Sequence, residues 1–469
     1  MTAEARKWVW IGIAALAAAA VMLAPLPSLA DAGRTALGVL LFALILWITE
    51  ALPFHITGLL SLFLMAVFRA DTFQHIVAAG FGNDIFIFFV GVLVLSAFIT
   101  RSGLGKRVSA FIISRTGNRV SLIILGFILT GALLSMWISE IAAVAILTPL
   151  AKDILEQEKT RPGSNFGKGL MIATAWGCVA GGMGTPAGSG TNPLAIGFLK
   201  DMAGIDVSFL RWMSYGIPAA LLLILPTWGV LMFFFKPEVK RLSKSSEELK
   251  EEYRNLPPMR KEEKLAVFAL LLTAALWLAT PLLERISGLE IPISMPILLT
   301  NAVFFLPKVS SIKWRQVERD ISWSGIILIL CGISLGKTLY DTGAAAWLSA
   351  SLLGGAGDLP LFARTLMVIL GVSVLKIALT SNTVTGTIVI PILIALARNA
   401  GTDAFSMVIP AALTSSMAFL LVTSTPVNII PHAAGYFTVG DMAKAGAVLT
   451  VIAALIITVV IIAVGGVGF

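Results

Sequence analysis

The sequence predicts an all-α polytopic membrane protein, and three observations indicate this class. Of the 469 residues, 57% are hydrophobic and only 13% are charged, whereas soluble globular proteins carry about 25% charged residues. Charge-free apolar runs of about 20 residues, the length that crosses a bilayer as a helix, recur along the chain. Polar, Gly- and Pro-rich segments interrupt the apolar pattern at matching places in the two halves.

The longest apolar runs are the predicted membrane spans. They are residues 8–30, 120–139, 212–235, 265–283 and 445–469. Shorter runs broken by single charges are residues 35–49, 51–68, 85–100 and 321–336. Together with the remaining apolar segments they predict about 11 crossings of the membrane.

One strongly hydrophilic stretch, residues 236–264, carries nine basic and seven acidic side chains. Basic loops stay on the cytoplasmic side, so this stretch and the N-terminus are expected in the cytoplasm of a bacterial cell, with the chain in the plasma membrane. The predicted organisation is residues 1–235 as an N-terminal span and first repeat, 236–264 as linker and 265–469 as second repeat. The same loop bias explains the net charge of +8, so no nucleic-acid partner is expected.

The two halves share an order of polar motifs. Ser139 and Ser381 each stand ten residues before a proline, and irregular segments end at Asn192 and Asn428, 53 and 47 residues beyond those serines. Duplicated halves with matched helix interruptions are typical of secondary transporters, whose site lies where the interruptions meet. The alternative is chance similarity between apolar stretches.

The serines predict helix starts inside the membrane. Ser and Asn favour the N-terminal cap position, where unpaired N–H groups attract anions. Two such starts, at Ser139 and Ser381, would suit a substrate with two anionic groups. The loops ending at Asn192 and Asn428 offer carbonyl oxygens of the kind that transporters use for Na⁺. The alternative is that small polar residues merely pack helices closely.

Five motifs taken together carry a family resemblance. They are ITEALP at 48–53, SMWIS at 135–139, GSGTN at 188–192, SNT at 381–383 and TPVN at 425–428. The chain resembles the divalent-anion/sodium symporter family of di- and tricarboxylate transporters. The resemblance implies two inverted repeats, two re-entrant hairpins, a homodimer, elevator-type movement, and scaffold and transport domains each drawn from both repeats.

The resemblance also implies binding residues. Those expected to contact the substrate are Ser139, Ser189, Asn382, Thr383 and Pro426. One sodium site would use Ser135, Ser139 and a backbone oxygen at Gly188. A second would use Asn382 with backbone oxygens near Ile377, Thr380 and Ser424. Apart from Na⁺ as a coupling ion, no cofactor is expected.

The sequence departs from the family pattern at two charged residues. The first Ser-Asn-Thr motif is replaced by Ser139, Glu140 and Ile141, and Lys376 lies in an apolar run before the second motif. A charge at mid-membrane costs about 2.5 to 3.5 kcal/mol. Glu140 could be neutralised by a proton, a cation or an ion pair with Lys376. The pair is favoured, although Lys376 could instead snorkel to the membrane surface.

These features predict a secondary carrier of small organic dianions, such as C4-dicarboxylates or 2-oxoglutarate, rather than an enzyme or a channel. A tethered Lys376 cation would weaken Na⁺ dependence and favour anion exchange. The alternatives are a Na⁺-coupled dicarboxylate symporter and a cation/proton antiporter of the same superfamily. His55, His75 and His432 are too widely spaced to indicate a metal site.

Overall fold

The computed structural model describes residues 2–465, apart from the side chain of Ala3. Those residues form 22 α-helices and two short 3-10 helices, and no β-strand lies among them. An isolated β-bridge joins Arg119 to Arg241. The predicted all-α class is confirmed.

The helices are numbered in chain order. Before the hydrophilic stretch they are α1 (Ala3–Leu23), α2 (Asp31–Thr49), α3 (Phe54–Val67), α4 (Phe73–Phe81), α5 (Ile85–Ser102), α6 (Leu104–Thr116), α7 (Val120–Ser135), α8 (Glu140–Gln157), α9 (Asn165–Gly182), α10 (Thr191–Ala203) and α11 (Phe209–Phe234). From that stretch onward they are α12 (Ser246–Arg254), α13 (Lys261–Ser287), α14 (Ser294–Phe304), α15 (Trp314–Asp320), α16 (Trp323–Asp341), α17 (Ala344–Leu353), α18 (Leu361–Ala378), α19 (Asn382–Asn399), α20 (Ala404–Ser416), α21 (Pro426–His432) and α22 (Val439–Gly465). The 3-10 helices are Ala356–Asp358 and Val422–Ser424.

Within residues 2–465, nine helices are long and apolar enough to cross a membrane: α1, α2, α5, α11, α13, α16, α18, α19 and α22. Five shorter apolar helices accompany them: α3, α7, α14, α17 and α20. The chain is therefore a multi-pass membrane protein, while the count of about 11 crossings stays a prediction.

Two helices have bounds that differ from the predicted spans. The span predicted at residues 8–30 is too long, because α1 ends at Leu23. Pro25 and Pro27 follow, and proline both lacks the N–H that a helix needs and restricts the preceding residue. At the other end, α22 starts at Val439, six residues before the predicted run. The last four residues of that run, 466–469, lie outside the described residues.

Contacts between Cα atoms divide the chain into two compact units. Unit 1 comprises Met1–Phe86, Pro193–Val207 and Ser322–Ser415. Unit 2 comprises Ile87–Asn192, Ser208–Ile321 and Ser416–Phe469. Each unit therefore takes segments from both halves of the sequence, so residues that are far apart in the chain lie together in one unit.

The core of unit 1 joins helices from both ends of the sequence. Trp47 of α2, Leu62 of α3, Leu335 of α16 and Ile388 of α19 are buried in one apolar cluster. Helix α16 packs against α3, α4 and α19. Unit 1 is thus held together around α16.

Unit 2 is built around α9, which is buried along nearly its whole length. This helix packs against α7, α8, α11 and α21. A Cβ atom at Gly181 would lie 2.2 Å from the carbonyl oxygen of Ala132, so only glycine allows α7 and α9 to approach so closely. Close backbone contact through small residues is how helices associate in membranes.

The order of helices supports the internal duplication. Ten helices, α2–α11, precede α12, and ten more, α13–α22, follow it. In both sets, a long helix is joined to the next through a glycine with positive φ, Gly103 at 86° and Gly343 at 77°. In both sets, an 18-residue helix with an internal proline, α8 or α19, begins at a capping serine. The opposite orientation of the two copies stays a prediction.

Candidate functional site

The first helix break lies in unit 2, between α7 and α8. Ser139 is the N-cap of α8, and its Oγ accepts a hydrogen bond from the Ala142 amide at 3.3 Å. The Ser139 amide in turn donates to the Ser96 Oγ at 3.4 Å. The predicted helix start at Ser139 is confirmed.

Glu140 is the first residue of α8, and only 6% of its surface is exposed. Its amide donates to the Gly188 carbonyl at 3.1 Å, and the Ser189 hydroxyl donates to the Glu140 Oε1 at 3.3 Å. The first turn of a helix favours negative charge because its free N–H groups carry positive potential. Three residues predicted for the site are therefore brought together here.

The irregular loop 183–190 is held by Asn192. The side-chain Nδ2 of Asn192 donates to the carbonyls of Gly182, at 2.8 Å, and Thr185, at 2.7 Å. The Ser416 hydroxyl donates to the Asn192 Oδ1 at 3.3 Å. The predicted irregular segment that ends at Asn192 is confirmed, and the loop is buried in protein, where such backbone is tolerated.

Backbone oxygens converge beside Gly188. A Cβ atom there would lie 2.4 Å from the carbonyl oxygen of Gly182 and 2.6 Å from that of Ser135. Carbonyl oxygens are hard ligands that suit Na⁺. Two residues predicted for a sodium site, Ser135 and Gly188, therefore lie together. Among residues 2–465, no group of three or more His, Cys, Asp or Glu side chains is placed to hold a metal ion.

The second helix break lies in unit 1, between α18 and α19. Ser381 is the N-cap of α19, and its Oγ accepts from the Val384 amide at 3.4 Å. This helix start is confirmed too. On the preceding residue, the Thr380 hydroxyl donates to the Glu50 Oε1 at 2.9 Å. Glu50 ends α2 in the left-handed conformation, with φ at 50°.

Lys376 places a positive charge at this second break. The side chain is 4% exposed, and its Nζ donates to the Asn382 Oδ1 at 2.7 Å and to the Ser415 carbonyl at 2.5 Å. Asn382 is itself 7% exposed. An amide oxygen and a backbone carbonyl are also the groups that a bound Na⁺ would use. The alternative in which Lys376 snorkels to the membrane surface is wrong, because its ammonium is bound inside the protein.

Asn428 holds the second irregular loop as Asn192 holds the first. Its Nδ2 donates to the carbonyls of Ala418, at 2.6 Å, and Leu421, at 2.9 Å. The two acceptors lie ten and seven residues before the asparagine in both loops. The two halves therefore share a hydrogen-bonding device as well as an order of motifs.

The remaining predicted residues lie close to the breaks in sequence. Some of them belong to unit 1 and the others to unit 2. Thr383 is the second residue of α19, Pro426 is the first of α21, and Ser424 is buried in a 3-10 helix. The side chain of Ile377 is 53% exposed, and the prediction for this residue concerns only a backbone oxygen. In unit 1 lie Lys376, Ile377, Thr380, Asn382 and Thr383; in unit 2 lie Ser135, Ser139, Glu140, Gly188, Ser189, Ser424 and Pro426.

Sequence reasoning missed three contacts. It gave no role to the carbonyl of Ser415, to the hydroxyl of Ser96 or to the bond between Thr380 and Glu50. Backbone carbonyls carry no signature in a sequence. No signal in the sequence pointed to the two side-chain contacts either, because their partners lie 43 and 330 residues apart in the chain.

A multi-pass helical chain with capped helix breaks inside its apolar segments has the structure of a membrane transporter. The family described as "Sodium:sulfate symporter transmembrane region" matches residues 5–467. The chain belongs to this family, the divalent-anion/sodium symporters. The family and its relatives are transporters, which confirms the prediction of a transporter rather than an enzyme.

Two relatives are named "Sodium-dependent dicarboxylate transporter SdcS". The protein of Staphylococcus saprophyticus is 29% identical over 454 residues, covering 92% of this chain and 86% of the relative. The protein of Staphylococcus aureus strain USA300 is 30% identical over 434 residues, covering 88% of this chain and 82% of the relative.

Two solved structures share the fold at low sequence identity. The Alcanivorax borkumensis YdaH transporter has a TM-score of 0.54 and 15% identity, over 85% of this chain and 88% of that one. Neisseria gonorrhoeae MtrF, described as illuminating a class of antimetabolite efflux pumps, has a TM-score of 0.56 and 14% identity, over 98% of this chain and 94% of that one. These similarities concern the fold alone.

Proposed function

We propose that this protein is a secondary active carrier of small organic dianions in the bacterial plasma membrane, with C4-dicarboxylates or 2-oxoglutarate as substrates. Two dicarboxylate-transporter relatives support the substrate class. The observation that carries the proposal is the pair of serine-capped helix starts at Ser139 and Ser381. The positive end of the helix dipole at such starts attracts carboxylates.

The substrate-binding residues in this proposal are those at or beside the breaks. They are Ser139, Ser189, Asn382, Thr383 and Pro426. The hydroxyl and amide side chains among them can donate to carboxylate oxygens. Elevator movement of a homodimer, with the cytoplasmic linker and N-terminus on one side, belongs to the same proposal.

Lys376 supports weakened Na⁺ dependence, with anion exchange as the mode of transport. Its ammonium binds the Asn382 side-chain oxygen, which the family pattern assigns to a sodium ion. A tethered cation occupies that oxygen but cannot travel down a gradient, so it cannot drive net uptake. The ion pair between Glu140 and Lys376 stays a prediction.

Reconstituted liposomes loaded with succinate provide the test. We expect exchange for external labelled succinate, malate or 2-oxoglutarate at similar rates in sodium and in choline buffers, with sulfate as a further substrate to be tried. Absence of uptake or exchange for all four anions would reject the dianion carrier. A strict requirement for Na⁺ would reject only the tethered-cation coupling.

A Na⁺-coupled dicarboxylate symporter is the second candidate. The carbonyl oxygens of Gly182 and Ser135, which lie close to Gly188, favour it, because such oxygens are the ligands that a sodium ion uses. The buried carboxylate of Glu140 favours a third, a cation/proton antiporter. A pH-sensitive dye inside the liposomes separates the third from the others, since an antiporter responds to Na⁺ without any organic anion.

A further inference from the structure

A basic cavity of about 240 Å³ lies in unit 2, and its lining includes none of the residues named for the helix breaks. Ser102 ends α5 beside it and Lys261 begins α13 beside it. Both helices are long and apolar enough to cross the membrane. Because two candidate spans end at this point, we expect the cavity at the membrane surface, on the side of the basic linker.

Positive charge predominates in the cavity. Its lining includes Lys106, Arg107 and Arg260, with Glu263 as its acidic member. The Arg107 Nε and Nη2 donate to the two carboxylate oxygens of Glu263 at 3.0 and 3.2 Å. Glu263 also accepts from the Arg260 amide at 2.7 Å, so three basic side chains share a single carboxylate in the lining.

A hydrogen bond within the protein also holds one basic side chain of the cavity in place. The Arg260 Nη2 donates to the Ser102 carbonyl at 2.6 Å, which fixes the guanidinium at the end of α5. Gly103, with φ at 86°, leaves the room for it, because a Cβ atom there would lie 2.9 Å from the same Nη2. Leu256 and Pro258 complete an apolar wall.

We propose that this cavity binds the phosphate group of an anionic phospholipid, with phosphatidylglycerol as the reference ligand. Guanidinium and ammonium groups recognise phosphate, and basic pockets between helices on the cytoplasmic side hold lipid headgroups. The position at the membrane surface and the apolar wall favour a lipid over a soluble phosphate ester. The site does not depend on the proposed function.

Native mass spectrometry of the full chain in detergent tests the assignment. The protein is titrated with phosphatidylglycerol, with phosphatidylcholine and with glycerol 3-phosphate. We expect phosphatidylglycerol to bind more tightly than phosphatidylcholine, and each lost basic residue to weaken it about fivefold. The double variant K106Q/R260Q should therefore bind roughly 25-fold more weakly.

The matched control is K250Q/R254Q, which removes the same charge from two exposed residues of α12 that do not line the cavity. It should bind like the wild type. Because Arg260 also holds the Ser102 carbonyl, the single variant K106Q provides a test without that contact, since Lys106 is exposed. Equal binding of the two lipids, equal effects of both double variants, no weakening in K106Q, or tighter binding of glycerol 3-phosphate than of phosphatidylglycerol would each overturn the proposal.

Discussion

The two helix breaks share their backbone design and differ in charge. Both α8 and α19 have 18 residues, a serine cap and an internal proline. The residue after the serine is Glu140 in unit 2, where it accepts from Ser189, and Asn382 in unit 1, where it accepts from Lys376. One break thus buries a carboxylate and the other an ammonium.

The difference between the two breaks shows that the helix cap and the charge beside it are separable properties. The serine hydroxyl and the backbone fix where the helix begins, whatever side chain comes next. The next residue can then be a carboxylate, as in Glu140, or a neutral amide, as in Asn382, provided that it finds hydrogen-bond partners, since buried polar and charged groups are tolerated only when they are bound. Variants that remove one hydrogen-bond partner at a time test whether the two properties are separate.

The largest effect is expected for Lys376→Met. It leaves the Asn382 and Ser415 oxygens without their donor, and each buried acceptor that is left unsatisfied costs about 1–3 kcal/mol. We expect exchange to fall at least about 100-fold, measured in liposomes, with a lower melting temperature in detergent.

The control for that variant is Lys337→Met, which removes a partly exposed lysine paired with Asp341 in the same unit. It should retain exchange. Adding Glu140→Gln to Lys376→Met should restore part of the activity if the two charges balance one another. Full activity of Lys376→Met would contradict the role given to the ammonium.

A second prediction concerns the asparagine clamps. Asn192→Ala and Asn428→Ala each remove two hydrogen bonds to buried carbonyls, so each should cost about 2–3 kcal/mol. Thermal unfolding in detergent measures both. Asn399→Ala, which removes a single bond to Ser349 at 3.2 Å, is the control and should cost about 1 kcal/mol. Markedly unequal losses at the two clamps would show that the loops are not equivalent.

A third prediction concerns Gly188 and Ser424, which stand four positions before Asn192 and Asn428. Each is replaced by the residue type found at the other position. Gly188→Ser places a Cβ atom against two carbonyl oxygens and should cost about 1–3 kcal/mol. Ser424→Gly adds only chain flexibility, at about 0.5–1 kcal/mol. Melting temperatures of the two variants decide, with Gly371→Ser as the control because a Cβ at that position meets open space. An equal fall in melting temperature for both variants would contradict the expected difference between Gly188 and Ser424.

The sequence allowed part of this comparison to be predicted. The helix starts at Ser139 and Ser381 followed from capping chemistry, which acts within one turn of helix. The donation from Lys376 to Ser415 spans 39 residues and ends on a backbone carbonyl, so no local pattern indicates it. The clamps were missed for the same reason, because an asparagine bonding ten residues back needs the loop geometry first.

The smallest expected effect concerns the starts of α9 and α20. The amides of Asn165 and Phe166 donate to Glu238 of the linker at 2.6 and 3.1 Å, whereas the start of α20 is bound by the neighbouring Asp403. Burial alone would raise the pKa of Glu238, but these backbone donors outweigh it and hold the pKa below its usual 4.5.

A lowered pKa stabilises the fold above the unfolded value and loses that contribution as pH falls through the folded one. Because Glu238 is exposed, Glu238→Gln should cost only about 0.5 kcal/mol at pH 7. The difference from the wild type should vanish on acidification below the folded pKa. Melting curves across that range measure it, and a difference that grows on acidification would contradict the assignment.

The place of Lys376 near the end of α18 has a consequence for biogenesis. When α18 first enters the bilayer, a lysine two residues before the helix end can extend its ammonium to the headgroups, so insertion of the isolated helix is inexpensive. Burial of that ammonium requires the Asn382 side chain and the Ser415 carbonyl, which belong to segments synthesised later. Burial of the Lys376 ammonium therefore depends on two segments that follow α18 in the chain.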